Sequence, residues 1–173
     1  MLRRIRIRGF KSFAGDVTLD LGPGVNVIVG PNGSGKSNFG EAISWALGEQ
    51  RASRLRAPGM HDILYQGTDA RPAAGLAEVA LQFDGASDGP AEVEVSRRLT
   101  RAGDSSYMLN GASCRLLDLH ESLAQRGLGG ESLAVIRQGQ VEALATSRPA
   151  ERRAMLDEAA GVGVTKRRRK RAE

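Results

Sequence analysis

The sequence predicts an α/β fold in which a glycine-rich loop joins a buried strand to a helix, next to an antiparallel sheet. Three observations carry this. Gly30-Pro31-Asn32-Gly33-Ser34-Gly35-Lys36-Ser37 fits the pattern G-x-x-x-x-G-K-[ST] at every specified position. The residues before it, Val25-Asn26-Val27-Ile28-Val29, are apolar and β-branched as in a buried strand, and residues 36–47 after it read as a helix. Residues 76–115 alternate apolar and polar positions and contain the hairpin dipeptide Asn110-Gly111.

Strand, loop and helix in that order form a phosphate cradle. Glycines let backbone N–H groups curl around phosphate oxygens, and the helix N-terminus adds partial positive charge. In such a loop Lys36 reaches the β- and γ-phosphates and the Ser37 hydroxyl ligates Mg²⁺. The motif therefore predicts a P-loop nucleotide site.

Composition bounds the rest. A chain of 173 residues suggests one domain or one large lobe. Hydrophobic residues make up 40%, enough for a core, while aromatics at 4% leave that core to Val, Ile, Leu and Ala. The single cysteine, Cys114, excludes an internal disulfide framework and suits a reducing compartment. No stretch approaches a membrane span and the first residues are Arg-rich and alternating, so the expected location is the cytosol. The net charge of +5 is local: residues 162–173 hold six basic and one acidic residue, and the remainder balances at nineteen of each. A run of six basic residues fits either a nucleic-acid contact or a solvated helix surface facing acids of another segment.

In chain order, the stretch from Leu2 to Arg8, alternating apolar and basic from Arg4 to Arg8, reads as a half-buried strand, with Ile5 and Ile7 inward and Arg4, Arg6 and Arg8 outward. The arginine row suits phosphate contact or a charged edge that blocks sheet aggregation. Gly9-Phe10-Lys11-Ser12-Phe13 reads as a turn and residues 16–21 as a second strand. In the helix after the glycine-rich loop, Phe39, Ile43 and Leu47 recur every four residues as a core stripe, with Ala42 and Ala46 beside them. Trp45 reads as packing, and Gly48 as the helix stop. Residues 49–69 suggest a short helix and loops, with no His or Cys pair at metal-ligand spacing. Strands are expected over 76–84, 92–101, 107–109 and 112–115, then an amphipathic helix over 116–126 with Leu116, Leu119 and Leu123 on one side. Residues 132–137 suit a strand and 141–145 a helix. Pro149 stands near the first turn of a further helix through 160, and a polar helix starts at Val164.

A nucleotide triphosphatase also needs an acidic residue at the end of an apolar strand to hold Mg²⁺. None follows the loop here, since the pair Asp157-Glu158 falls in an expected helix. The machinery reads as half of a site.

These residues resemble the N-terminal half of the ATPase head of bacterial SMC (structural maintenance of chromosomes) proteins. The resemblance rests on Gly9-Phe10-Lys11-Ser12-Phe13, the loop from Val29 through Asn38, Trp45-Ala46-Leu47-Gly48-Glu49-Gln50 and Leu55-Arg56. It extends through Asn110-Gly111 with Cys114-Arg115, Gln138-Gly139-Gln140, Glu151-Arg152-Arg153 and Glu158-Ala159-Ala160-Gly161. It implies the N-terminal lobe of an ABC-type head (residues 1–161), with a mixed sheet, an antiparallel β subdomain and flanking helices, followed by the start of an outgoing coiled coil (162–173). The missing acidic strand would lie in a C-terminal lobe. By the same resemblance Asn32, Gly33, Ser34, Gly35, Lys36, Ser37 and Asn38 cradle ATP, and Lys11 and Ser12 approach it from the first turn. Gln138 contacts Mg²⁺ and the attacking water, Arg56 lies near the phosphates, and His61-Asp62 fall on the adenine side. Arg137 stands where many members have glycine. The implied protein is a cytoplasmic, nucleoid-associated, chromosome-organising ATPase. Its implied partners are its own C-terminal lobe, a second head in a homodimer, double-stranded DNA and a kleisin-type subunit, with no membrane. A recombination ATPase of the RecF/RecN or double-strand-break-repair kind is the alternative. The basic stretch and the absence of a signature motif argue against a membrane-transporter subunit.

Overall fold

A computed structural model of the chain describes residues 1–84, 92–125, 146–150 and 152–153. Two compact units divide it, Met1–Leu119 and His120–Glu173. The expectations for residues 132–137, Gln138, residues 141–145, the boundary at 161 and 162, and the basic stretch lie outside the described residues.

The first unit is built on a six-stranded antiparallel sheet in the order β2-β1-β3-β4-β5-β6. Its strands are β1 (Leu2–Arg8), β2 (Val17–Asp20), β3 (Leu76–Asp84), β4 (Glu92–Thr100), β5 (Ser105–Leu109) and β6 (Ala112–Cys114). The strands expected at both ends of the chain segment thus join into one sheet. The pairing that would make it a mixed sheet is not among the described residues. Two-residue alternation sets its register: Ile5 faces Leu81, Ile7 faces Val79, and Leu81 faces Val95. These side chains are buried on one face.

The opposite face is charged. Arg4 pairs with Asp20 at 2.5 Å, Arg8 with Asp16 at 3.7 Å, Arg6 with Glu94 at 3.9 Å and Arg98 with Glu78 at 2.8 Å. The arginine row of β1 does not form a sheet edge, because β2 lies outside it. Its charges are matched by carboxylates, each exposed pair contributing about 0–1 kcal/mol.

Asn110 and Gly111 form the two-residue loop between β5 and β6, both with positive φ (49° and 79°), as a type I′ turn requires. Asn110 also exchanges two 2.8 Å hydrogen bonds with the backbone of Glu94, which fixes the hairpin against β4. Gly9 ends β1 with φ 60°, and a Cβ there would stand 2.0 Å from the Leu76 carbonyl oxygen, so only glycine lets the chain turn beside β3.

Helix α1 (Lys36–Ala46) packs its Ala42, Trp45 and Ala46 side against β3 and β4. The buried face is rotated from the expected stripe. Glu41 and Ser44 are buried, whereas Phe39 and Ile43 are only half-buried. Phe39 meets Phe13 edge-on at 4.8 Å, and Trp45 meets Phe10 at 5.4 Å. Trp45 is packing, as expected. The helix stops at Leu47 and Gly48, whose N–H groups return to Ile43 O and Trp45 O. Two 3-10 turns follow, Ala52–Leu55 and Met60–Ile63, in place of the single short helix expected over 49–69.

Arg97 is the anomaly in β4. Val93, Val95, Arg97 and Leu99 alternate inward, so the sheet drives a guanidinium into the core. It lies between the Trp45 ring (4.8 Å) and the Tyr107 ring (4.6 Å), and its Nη1 donates to Trp45 O (3.0 Å) and Glu49 O (2.8 Å). The charge binds the negative end of α1, where carbonyls lack intrahelical partners. Glu49 is also buried, and its carboxylate accepts from Arg51 N and Arg54 Nη1.

Helix α2 (Leu116–Gln125) buries Leu119 and Leu123, with Leu116 partly covered, as its periodicity predicted. Pro149 opens a helical turn, with Arg152 N–H donating to Arg148 O at 3.1 Å. Among the described residues no helix is long and apolar enough to cross a membrane.

Candidate functional site

The glycine-rich loop leads straight into α1. Gly33 and Gly35 take left-handed φ values of 81° and 88°, and Gly35 caps the helix. A Cβ on Gly35 would stand 2.6 Å from Ser12 Oγ, so the closeness of the first turn also demands glycine there. The first N–H groups of any helix lack intrahelical acceptors. Here they open onto an exposed loop, an arrangement suited to an anion.

Lys36 supplies the charge. Its Nζ donates to Gly30 O at 2.7 Å and Pro31 O at 2.6 Å, curling back over the loop that precedes it. A lysine resting on exposed carbonyls can exchange them for phosphate oxygens, which are stronger acceptors for a cation. Ser37, beside it at the helix start, is exposed. Loop, lysine and hydroxyl therefore fit a phosphate group and its Mg²⁺.

The turn at 9–13 reaches this helix at two points. Asn38 Nδ2 donates to Ser12 Oγ at 2.8 Å. Lys11 Nζ contacts Glu41 Oε2 at 2.5 Å and donates also to the carbonyl of Leu55. Asn38 and Glu41 are three residues apart, hence on one face of α1. Arg56, just past the first 3-10 turn, donates through Nε to Glu41 Oε1. The structure thus brings Lys11, Ser12, Asn32 to Asn38 and Arg56 around the first turns of α1. Gln138 lies outside the described residues. Asp62 caps the second 3-10 turn by accepting from Gly59 N at 2.8 Å.

Sequence reasoning missed Glu41, the carboxylate on which both flanking cations converge. Nothing in the local pattern marked it: Glu41 stands about half a turn around α1 from Phe39 and Ile43, opposite the expected apolar stripe. Sequence reasoning also misread residues 25–29. These form no strand; Val25, Val27 and Val29 are 92%, 74% and 83% exposed, and Ile28 is 41% exposed. A strand exists by pairing, and among the described residues none lies beside this one.

A family model described as RecF/RecN/SMC N terminal domain matches residues 1–145. Over 99% of its length the chain is 43% identical to the chromosome partition protein Smc of Mycobacterium tuberculosis, of which it spans 14%. It is 45% identical, again over 99%, to the protein of the same name from Desulfitobacterium hafniense, of which it spans 15%. Among solved structures, it is similar to the Smc head domain with an extended coiled coil bound to the C-terminal domain of ScpA, from Pyrococcus furiosus. The TM-score is 0.86 at 31% identity, covering 99% of this chain and 44% of that one. A chain from work on ATP-driven dimerization and DNA-stimulated activation of SMC ATPases gives 0.80 at 31% identity, with 91% and 98% covered. The recombination mediator RecF, at 22% identity and TM-score 0.56, shares the fold alone.

Proposed function

The chain belongs to the RecF/RecN/SMC N-terminal domain family, and on that premise we propose that it is the ATP-binding N-terminal lobe of an SMC-type ABC ATPase head. The carrying observation is the loop at 30–37: left-handed glycines at the start of α1, with Lys36 folded onto the carbonyls of Gly30 and Pro31.

In this reading Lys36 trades those carbonyls for the β- and γ-phosphates, and backbone N–H groups of residues 32–38 hold the remaining oxygens. Ser37 provides one Mg²⁺ ligand. Lys11 and Ser12 close the site from the first turn, Arg56 offsets phosphate charge, and Gln138 orients the attacking water and contacts the metal. Held there, Mg²⁺ would supply positive charge to offset that of the phosphates.

The site is one half of a composite. Residues 25–29 leave Val25, Val27 and Val29 largely in water, each forgoing up to about 1.5–3 kcal/mol of burial, with Ile28 partly covered beside them. The C-terminal lobe of the same protein covers this run and makes it the strand that the sequence pattern describes. It also brings the acidic strand absent here. A second head engages through ATP, and the assembled protein, with a kleisin-type subunit, organises double-stranded DNA in the cytoplasm at the nucleoid. The solved relatives bound to ScpA, and those studied for ATP-driven dimerization and DNA stimulation, support this. The RecF-type alternative shares the family model but is not favoured, since the Smc head matches at 31% identity and TM-score 0.86 against 22% and 0.56 for RecF.

The test is equilibrium binding of ATP·Mg²⁺ to the full-length protein and to its Lys36→Ala variant. Binding should be lost in the variant, and unchanged affinity would refute the cradle. Residues 1–173 alone should show no steady-state turnover. Turnover by this chain, insensitive to added C-terminal lobe, would refute the half-site.

A further inference from the structure

Resting on that reading, we propose that Glu41 is a positioning residue of the nucleotide site. Its buried carboxylate sets where the Arg56 guanidinium stands relative to the phosphates and anchors Lys11 as its counter-cation.

Four observations converge. Glu41 is 7% exposed, and a buried carboxylate is costly unless paired. It has two partners on separate oxygens, Lys11 on Oε2 and Arg56 on Oε1. Both partners hold left-handed backbone (φ 48° each) although neither is glycine, a conformation that persists where surrounding contacts enforce it. The two cations differ in exposure: the Lys11 side chain is 13% exposed and that of Arg56 is 62% exposed.

That asymmetry assigns the roles. Lys11 is held on two sides, by Glu41 and by the Leu55 carbonyl, and neutralises the buried charge. Among the described residues Arg56 is held at the base of its fork alone, through Nε, so its outer nitrogens can meet an anion while the carboxylate fixes their origin. Glu41 stands four residues, about 6 Å, along α1 from Ser37. The guanidinium held there stands about one helical turn from Ser37. One carboxylate thus joins the first turn, α1 and the turn at 52–56, three segments distant in sequence, and registers the arginine on the helix that carries the cradle.

The experiment is steady-state ATP hydrolysis by the full-length protein, comparing Glu41→Gln, Glu41→Asp, Arg56→Ala and the double variant Glu41→Gln/Arg56→Ala. Circular dichroism checks the fold of each. Glu41→Gln should lower kcat about tenfold or more while KM for ATP stays within about threefold. Glu41→Asp, which keeps the charge but shortens its reach, should fall between the two. The double variant should be no slower than Arg56→Ala, because residues acting as a unit are not additive. A wild-type kcat in Glu41→Gln overturns the proposal. So do effects that multiply in the double variant, or a kcat loss that only tracks lost folded protein. Should Glu41→Gln not fold, Glu41→Asp and its double with Arg56→Ala carry the same comparison. Lys36→Ala separates the two readings: if wild-type protein binds ATP and Lys36→Ala does not, a null result at Glu41 sinks only this inference. If wild-type protein binds no ATP, both readings fall.

Discussion

Arg97→Ala tests the claim that a core guanidinium ties the C-terminal end of α1 to the sheet. The side chain gives two charge-assisted hydrogen bonds, to Trp45 O and Glu49 O, and stacks between two aromatic rings. Hydrogen bonds to a charged group contribute about 1.5–3 kcal/mol each, and a desolvated cation–π contact about 2 kcal/mol. Summed, these overshoot, because the buried guanidinium has itself lost its water and because Trp45 O keeps the Gly48 N–H at 3.1 Å. A net loss of about 3–5 kcal/mol is expected, a large share of the roughly 5–15 kcal/mol that stabilises a domain. Trp45 is the single tryptophan and contacts Arg97 directly, so its fluorescence reports urea unfolding of the chain. With m near 2 kcal/mol per molar urea, the midpoint should fall by about 1.5–2.5 M. Arg97→Lys keeps the charge but loses the planar fork, and should fall by roughly half as much. A shift below about 0.5 M for Arg97→Ala, or a wild-type midpoint for Arg97→Lys, would refute the clamp.

Other perturbations follow from single contacts. Gly35→Ala should destabilise the chain by more than about 1 kcal/mol and weaken ATP binding, since φ stays at 88° whatever gives way. Adding Ser12→Ala should recover only the steric part, and full recovery would show that φ is not the constraint. Val27→Lys with Val29→Lys should make the isolated chain more soluble and block its assembly with the C-terminal lobe, read by co-purification. Intact assembly would mean that this run is not the contact. The Arg3 guanidinium, bonded at 2.7 Å, holds the Asp84 carboxyl below its usual range. A carboxyl depressed in the folded state adds stability above its unfolded pKa of about 3.9, lost as pH falls through the lower folded value. Asp84→Asn should therefore flatten the acid limb of stability against pH, more visibly at low salt. An unchanged limb would show that the exposed pair is not coupled to folding.

Much of this architecture was legible in local pattern. Two-residue alternation placed Ile5, Ile7, Val79 and Leu81 inward, and Asn110-Gly111 gave its turn because few residues other than glycine and asparagine accept positive φ. The cradle was legible for the same reason: its glycines and lysine act within eight consecutive positions. Glu41 was not legible, because its partners stand 30 and 15 residues away and nothing local distinguishes a buried acid from a solvated one. Arg97 looked like one charge among several in β4 until the register set it opposite Tyr107 and beneath Trp45.

Residues 25–29 mark the boundary between the two kinds of information. By itself the sequence determined that this run suits a strand, that a phosphate loop follows, and which helix the loop starts. Those are properties of short stretches, governed by side-chain shape and backbone sterics. Only the tertiary structure decided which apolar stretch is paired, which face of α1 is buried, and which charges meet. Pairing needs a neighbouring backbone, and burial of a charge needs a partner brought from elsewhere in the chain. For residues 25–29 no described strand supplies that neighbour, so a segment with every local qualification of a strand remains an exposed ribbon.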